Sequence, residues 1–211
     1  MYRKYGISSL LWVIITKYWR IKYKIYQCLT IEELLRHKVD FNPQKCSFIG
    51  RTFLELEKNS KIVIGDYFIA RSGVNSGIDT GNGRKIAVKS NAELTIGKYS
   101  GMTNTVIQCH KKVVIGNYVN IGAGCMIMDS NFHSTDWRDR LDRKKDVDNR
   151  RNASVKIGNV VFIGARSIIC KGVTIGDHSM IAAGSVVVND IPSNEVWGGN
   201  PARFIKKIDI L

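Results

Sequence analysis

No apolar run in this chain reaches the ~20 residues that a membrane-spanning helix needs. The best candidate, ISSLLWVII at residues 7–15, stops well short. It resembles a secretory-signal core, yet TKYWRIKYKIY follows it instead of a small-residue cleavage site, so it is expected to stay in the mature chain. Proline is scarce, with three against 19 glycines, which suits many short strands and turns. The five cysteines, at 28, 46, 109, 125 and 170, are odd in number and form no CxxC pair. That argues against a disulfide scaffold or a cysteine zinc site, and for free thiols in a reducing cytoplasm. Acid is also in short supply: 18 Asp and Glu face 32 Lys and Arg, a formal net charge of +14. No acidic residue precedes Glu32. Such a balance favours anionic partners, whether nucleic acid, membrane surface, phosphorylated cofactor or acidic sugar. The charge is spread and no nucleic-acid reader motif is present, so nucleic acid is not the expected partner.

What the chain does have is a beat of six. Ile115, Ile121 and Ile127 form one register; Ile157, Ile163, Ile169, Ile175, Ile181 and Val187 form a second. Gly follows the aliphatic residue at 116, 122, 158, 164 and 176, and a small or β-branched residue sits four after it, at Val119, Cys125, Val161, Ser167, Val173, Ser179 and Ser185. A helix repeats its face every 3.6 residues and a strand every two, so neither gives this period. It fits a short flat strand and a tight turn, with one aliphatic side chain per unit on the axis of a narrow prism. Glycine relieves crowding at the turns. Ile64 and Ile96 are the expected axial residues of earlier coils, and the Gly- and Asn-rich stretch between residues 72 and 85 is read as turns or loop.

Ahead of the repeats, Ile7, Leu11, Ile14, Tyr18, Ile21, Ile25 and Cys28 or Leu29 form a helical apolar stripe with Lys17, Arg20, Lys22 and Lys24 on the other faces. A second short helix is expected over residues 31–38, started by a Thr30/Glu33 capping box. An apolar stripe commonly packs on its own protein or a neighbour. The Tyr, Trp and Lys/Arg content also suits an interfacial helix. Both readings stand, with self-packing slightly ahead and residues 7–29 kept as a possible peripheral membrane contact.

The repeat breaks after Ile127, and residues 133–156 are ejected from a corner. The ejected stretch is highly charged and too poor in apolar residues for a core of its own, so it is expected to lie as an arm over the surface or a neighbouring subunit. His133 stands at its entry. From the residues alone, a surface histidine and a functional one weigh equally. His37, His110 and His178 are weaker candidates, although His110 lies one coil earlier and could approach a cleft.

The pattern [LIV]-G-x-x-[small]-x over roughly residues 60–192 resembles the hexapeptide-repeat acyltransferases, whose fold is a left-handed parallel β-helix. The segment GVTIGDHSMIAAGSVVVNDIPSNEVWGGNPARFIKKI resembles the closing coils and cap of their galactoside, maltose and xenobiotic O-acetyltransferase branch. DSNFHS resembles the loop entry of sugar and capsular-polysaccharide O-acetyltransferases. The resemblance implies a mainly β chain: an N-terminal basic helical segment (1–45), a β-helix (46–192) with an ejected loop (133–156), and a C-terminal cap (193–211). It implies an acetyl-CoA-dependent O-acetyltransferase acting on a sugar hydroxyl, in surface polysaccharide biosynthesis, with no metal. It also implies a homotrimer with active sites between subunits, in the cytoplasm or peripheral at the inner membrane face.

The resemblance makes His133 the general base, a role suited to imidazole near neutral pH. It puts Ala165 and Ala183 against the pantetheine of acetyl-CoA, and Arg203 and Lys206 against its phosphates. Asn104, Phe162 and Asp129 fall on the acceptor-binding side, where Asp129 either orients His133 or caps a turn. Val188-Asn189 stands where the family often has Thr-Lys, and the family's acidic acceptor-binding residue falls near Cys109, which cannot replace it. The zinc enzymes of the γ-carbonic-anhydrase type use two His five residues apart, a pair this chain lacks. Alternatives from the same reading are an N-acetyltransferase of an amino or nucleotide sugar, an antibiotic O-acetyltransferase, and a non-catalytic β-helix docking module.

Overall fold

The computed structural model describes residues 6–73 and 84–209. For residues 74–83 the loop reading lies outside what is described. Among the described residues, eighteen short strands wind around a triangular prism, and three parallel sheets form its faces. The first face stacks Asp40–Phe41, Lys61–Ile64, Glu93–Ile96, Lys112–Ile115, Val155–Ile157 and Thr174–Ile175. The second stacks Ser47–Ile49, Ile69–Arg71, Gly101–Thr103, Asn120–Ile121, Phe162–Ile163 and Met180–Ile181. The third stacks Thr52–Leu56, Arg84–Val88, Val106–Cys109, Met126–Met128, Ile168–Ile169 and Val186–Val187. The first coil thus begins at Asp40, ahead of position 46. An antiparallel hairpin, Glu195–Gly199 and Ala202–Lys207, extends the second face at the C-terminal end.

The six-residue beat becomes vertical columns. Ile64, Ile96, Ile115, Ile157 and Ile175 pair in register up the first face. Ile127, Ile169 and Val187 do so on the third. Every expected axial residue from Ile115 to Val187 is at most 6% exposed, and Val119, Cys125, Val161, Ser167, Val173, Ser179 and Ser185, each four after one of them, are at most 1% exposed. Burying such a side chain contributes about 1.5–3 kcal/mol. Turn glycines hold the coils at close approach: a Cβ on Gly116 would lie 2.5 Å from Gly158 O, and on Gly164 2.4 Å from Ala183 N.

The register slip before Ile115 has a local cause. Met102 pairs with Ile121 and Ile107 with Ile127, so the step from Met102 to Ile107 is one residue short of six. The step from Ile107 to Ile115 is two over. The short step bends at Asn104, whose backbone takes a φ of 42°. The long step bulges out His110 and Lys111 at the corner between the third and first faces.

The N-terminal segment differs from expectation. It is one continuous helix, α1, Gly6–Arg36. Thr30 is no cap: it lies inside the helix, where its hydroxyl donates to Tyr26 O at 2.8 Å. Such a back-bond satisfies Thr30 without a new helix start. Among helix residues with described side chains, Thr30 and Leu34 are buried, against the strands of the first coil. The expected apolar stripe faces away from the body: Leu11, Ile14, Tyr18, Ile21, Ile25 and Leu29 are each more than half exposed.

Candidate active site

The ejected segment leaves the corner between the third and first faces after Met128 and rejoins at Val155. It is not an extended arm. A 3-10 turn, Asp139–Leu141, leads into a short helix, α2, Arg143–Asp148, capped by the Asp142 carboxylate on the N–H groups of Lys144 and Lys145. At the base, Ser130 and Asn152 form an antiparallel bridge. Asn131 N–H donates to Arg151 O at 3.1 Å and Ala153 N–H to Asp129 O at 2.9 Å. With few apolar residues, the segment is folded by polar pairs.

His133 sits at its start with its side chain 69% exposed, and its Nδ1 lies 2.6 Å from Asp146 Oδ2. A carboxylate only accepts, so Nδ1 carries a proton, and in the neutral imidazole the lone pair is then on Nε2. The other Asp146 oxygen accepts Ser134 N–H at 2.8 Å. The hydrogen bond with His133, then that from Ser134, hold the Asp146 carboxyl below the usual carboxylate range. Behind them, Ser134 Oγ donates to Asp139 Oδ2 at 2.7 Å, and Arg140 Nη1 donates to Ser134 O at 2.9 Å. Sequence reasoning missed Asp146, Ser134 and Asp139. Asp146 is one of several Asp in a charged run, thirteen residues from its partner, and no spacing rule singles it out.

Of its two expected roles, Asp129 takes the turn cap; the carboxylate that meets His133 is that of Asp146. Asp129 is fully buried, and its carboxylate accepts the backbone N–H groups of His110, Lys111 and Lys112, each at 2.7 Å. Those donors belong to the bulge of the long step, so Asp129 closes a turn one coil below the loop. His110 shares this corner. Its ring meets Phe132 edge-on at 5.3 Å, and neither ring nitrogen has a partner among the described residues. Burial, with the charge of Arg150, pushes its pKa down. His37 and His178 are exposed and distant from the loop, at the end of α1 and at a turn between the first and second faces.

The remaining candidates lie elsewhere. Ala165 and Ala183 stack at the corner between the second and third faces, where Gly122 and Gly164 press on their backbone. Arg203 and Lys206 are exposed on the hairpin that prolongs the second face. Asn104 is at the same corner as the alanines but is 1% exposed, and its Oδ1 accepts Gly73 N–H at 3.3 Å. It braces that turn and presents no open side-chain face to a ligand, which corrects the acceptor-binding expectation. Phe162 is 45% exposed on the second face. It lines a groove of about 420 Å³ with Tyr67, Arg71, Tyr99 and Asn120. Beside it Tyr67, Tyr99 and Tyr118 stack with centroids 4.7 and 4.9 Å apart. Cys109 is fully buried, and burial pushes its thiol up to about 12. Within one chain, therefore, the alanine corner and the His133 corner lie on opposite edges of the third face. A three-residue strand such as Met126–Met128 makes that separation about 10 Å.

The coil stack and its hexad columns define a hexapeptide-repeat parallel β-helix. Residues 154–189 match the family model described as bacterial transferase hexapeptide (six repeats). A maltose O-acetyltransferase of Clostridium difficile is similar over 95% of this chain and 89% of its own, at 26% identity and a TM-score of 0.52. A hexapeptide-repeat acetyltransferase of Vibrio cholerae, solved with acetyl coenzyme A, is similar over 74% of this chain and 72% of its own, at 26% identity and a TM-score of 0.51. The galactoside O-acetyltransferase of Escherichia coli is 53% identical over 55 residues, which are 26% of this chain and 27% of that protein. The chain thus spans about a quarter of the length of the curated relatives it matches first. It carries the hexapeptide repeat of bacterial transferases over residues 154–189, and its coil stack is similar to the left-handed β-helix of solved acetyltransferases.

Proposed function

We propose that the protein is an acetyl-CoA-dependent O-acetyltransferase that acts on a sugar hydroxyl, with His133 as general base. The observation that carries this reading is the His133–Asp146 pair at the mouth of the loop that breaks the repeat. His133 Nε2 takes the proton of the acceptor hydroxyl as its oxygen attacks the thioester carbonyl carbon. The tetrahedral oxyanion collapses, the C–S bond breaks, and the imidazolium returns the proton to the coenzyme A thiolate. Asp146 holds the productive tautomer and offsets the imidazolium charge as it forms.

Acetyl-CoA is the donor in this reading. Support comes from the small, backbone-lined corner at Ala165 and Ala183, the exposed cations Arg203 and Lys206 nearby, and the acetyl-CoA complex of the Vibrio relative. The galactoside and maltose enzymes among the relatives support a sugar acceptor. An aromatic groove at Phe162 and the tyrosine stack offers faces on which a sugar ring can lie. A role in surface polysaccharide assembly, on the cytoplasmic side where the donor is made, follows from the loop-entry resemblance.

Because donor corner and base lie on opposite edges of one face, we assign the working form to a homotrimer. There the His133 corner of one copy meets the alanine corner of the next. Calorimetric titration with acetyl-CoA, followed by thiol-release assays over a sugar panel, tests the reading. Saturable donor binding and turnover that vanishes in His133→Ala are expected. Absence of donor binding at millimolar concentration favours the docking module instead. Transfer to amines alone makes the protein an N-acetyltransferase.

A further inference from the structure

Helix α1 carries a surface that no described residue covers. Thirty-one residues at 1.5 Å each make it about 46 Å long, and it packs on the first coil only through its C-terminal part. The inward side is Trp19, Tyr23, Thr30 and Leu34, with the Tyr23 hydroxyl lying against Gly73. At the other end, Leu11, Trp12, Val13, Ile14 and Ile15 are 41–67% exposed, so the helix is apolar and uncovered all around its circumference there. Such a tip has no place in water unless something buries it. The stripe Tyr18, Ile21, Ile25 and Leu29 continues the apolar surface along the outward side, each residue at least 52% exposed.

Charge selects the occupant. Directly behind the tip come Lys17, Arg20, Lys22 and Lys24, and at 100° per residue Lys17 and Lys24 fall on one side of the outward stripe and Lys22 on the other. Tyr18 and Trp19 sit among them, and Lys22 Nζ lies 4.7 Å over the Trp19 ring. No acid precedes Glu32, so nothing on this stretch pairs with the four cations. Pairing the same helices of two copies would oppose like charges. An anionic lipid surface answers both halves of the pattern: acyl chains take the tip and stripe, headgroup phosphates the cations. No described helix is long and apolar enough to cross a membrane.

We propose that α1 docks this protein on an anionic lipid surface, inserting the 11–15 tip and seating residues 17–24 among the headgroups. The inference stands independently of the transferase reading. Docking holds the coil stack at the membrane by its first coil. His133, three coils further along at about 4.8 Å per coil, then lies about 14 Å along the axis from that end.

Sedimentation of the full chain with vesicles of phosphatidylglycerol and phosphatidylcholine, or of phosphatidylcholine alone, tests it, with size-exclusion light scattering run alongside. Binding to the anionic vesicles, weakened by salt, is expected. Each cation neutralised, as in Lys17→Gln or Lys24→Gln, should weaken partitioning about fivefold. Ile14→Glu with Ile21→Glu should abolish it while the mass in solution stays the same, and His133→Ala should bind vesicles as the parent does. Absence of binding to anionic vesicles overturns the proposal. So does a stripe variant that still binds vesicles but drops to a smaller oligomer, which makes a second copy the occupant.

Discussion

His133 Nδ1 and Asp146 Oδ2 lie 2.6 Å apart although they stand thirteen positions apart in the loop. The loop is folded so that one carboxylate serves two partners, the imidazole and the Ser134 backbone. Asp146 is therefore a positioning residue, and its effect should show in kcat. In the proposed reaction His133→Ala should lose about 10²- to 10⁴-fold in rate with its fold intact. Asp146→Asn should lower kcat roughly tenfold or more with little change in KM, because the amide can select the wrong tautomer. Steady-state kinetics with circular dichroism as a fold control checks both.

Acid should loosen the loop before it unfolds the prism. The Asp146 carboxyl is held below its ordinary value of 3.8, so the stabilisation it gives is complete above that value and lost as pH falls through the lowered one. Hydrogen exchange of residues 133–149 should accelerate below about pH 4 while the amides of Ile163 and Ile181 stay protected. Equal acceleration everywhere would show that Asp146 does not govern the loop.

Asp129 should prove structural. Removing its carboxylate strands three backbone N–H groups in a buried turn, and charged hydrogen bonds contribute about 1.5–3 kcal/mol each before relaxation. Asp129→Ala should lower stability by about 3 kcal/mol or more in denaturant titration. A stable, inactive Asp129→Ala protein would place this residue at the substrate after all.

Two glycines separate coil packing from donor binding. Gly116→Ala and Gly164→Ala each drive a Cβ into the next coil's backbone, so both should lower the melting temperature. Only Gly164 presses on Ala183, so only its variant should also weaken acetyl-CoA binding in calorimetry. Equal donor affinity in the two variants would move the donor away from the alanine corner.

Thiol chemistry offers a check on the core. Cys28 is exposed, whereas Cys109 is buried with its thiol pushed up to about 12. Iodoacetamide at pH 8 should modify Cys28 quickly in the native protein and leave Cys109 untouched until denaturant is added. Mass spectrometry of tryptic peptides reads this directly.

The coil stack was legible because its period is its geometry: each axial aliphatic must face the prism axis, and no other side chain fits there. The slip before Ile115 was visible, but not its mechanism, since the compensating carboxylate of Asp129 arrives from the following coil. His133 was legible as a break in rhythm. Its partner was not, because polar loops fold by pairings that leave no period. The apolar stripe of α1 was also legible, but pattern alone does not say which way a stripe faces. Tyr23 and Leu34, not Ile21 or Ile25, meet the body. Thr30 looked like a helix start because a hydroxyl that caps and one that bonds back to Tyr26 read alike in sequence.

The closed base of the loop has a consequence for how such a protein diversifies. Its ends are tied by the Ser130–Asn152 bridge and by the bond from Ala153 to Asp129, and these ties also carry the chain from Met128 to Val155. Beyond Phe132, whose ring meets His110, what lies between them is mechanically decoupled from the coils, much as a cartridge is from its socket. Insertions, deletions and wholesale replacement there leave the axial columns in step. The scaffold can stay nearly constant over generations while the cartridge around the histidine is rewritten for one acceptor after another.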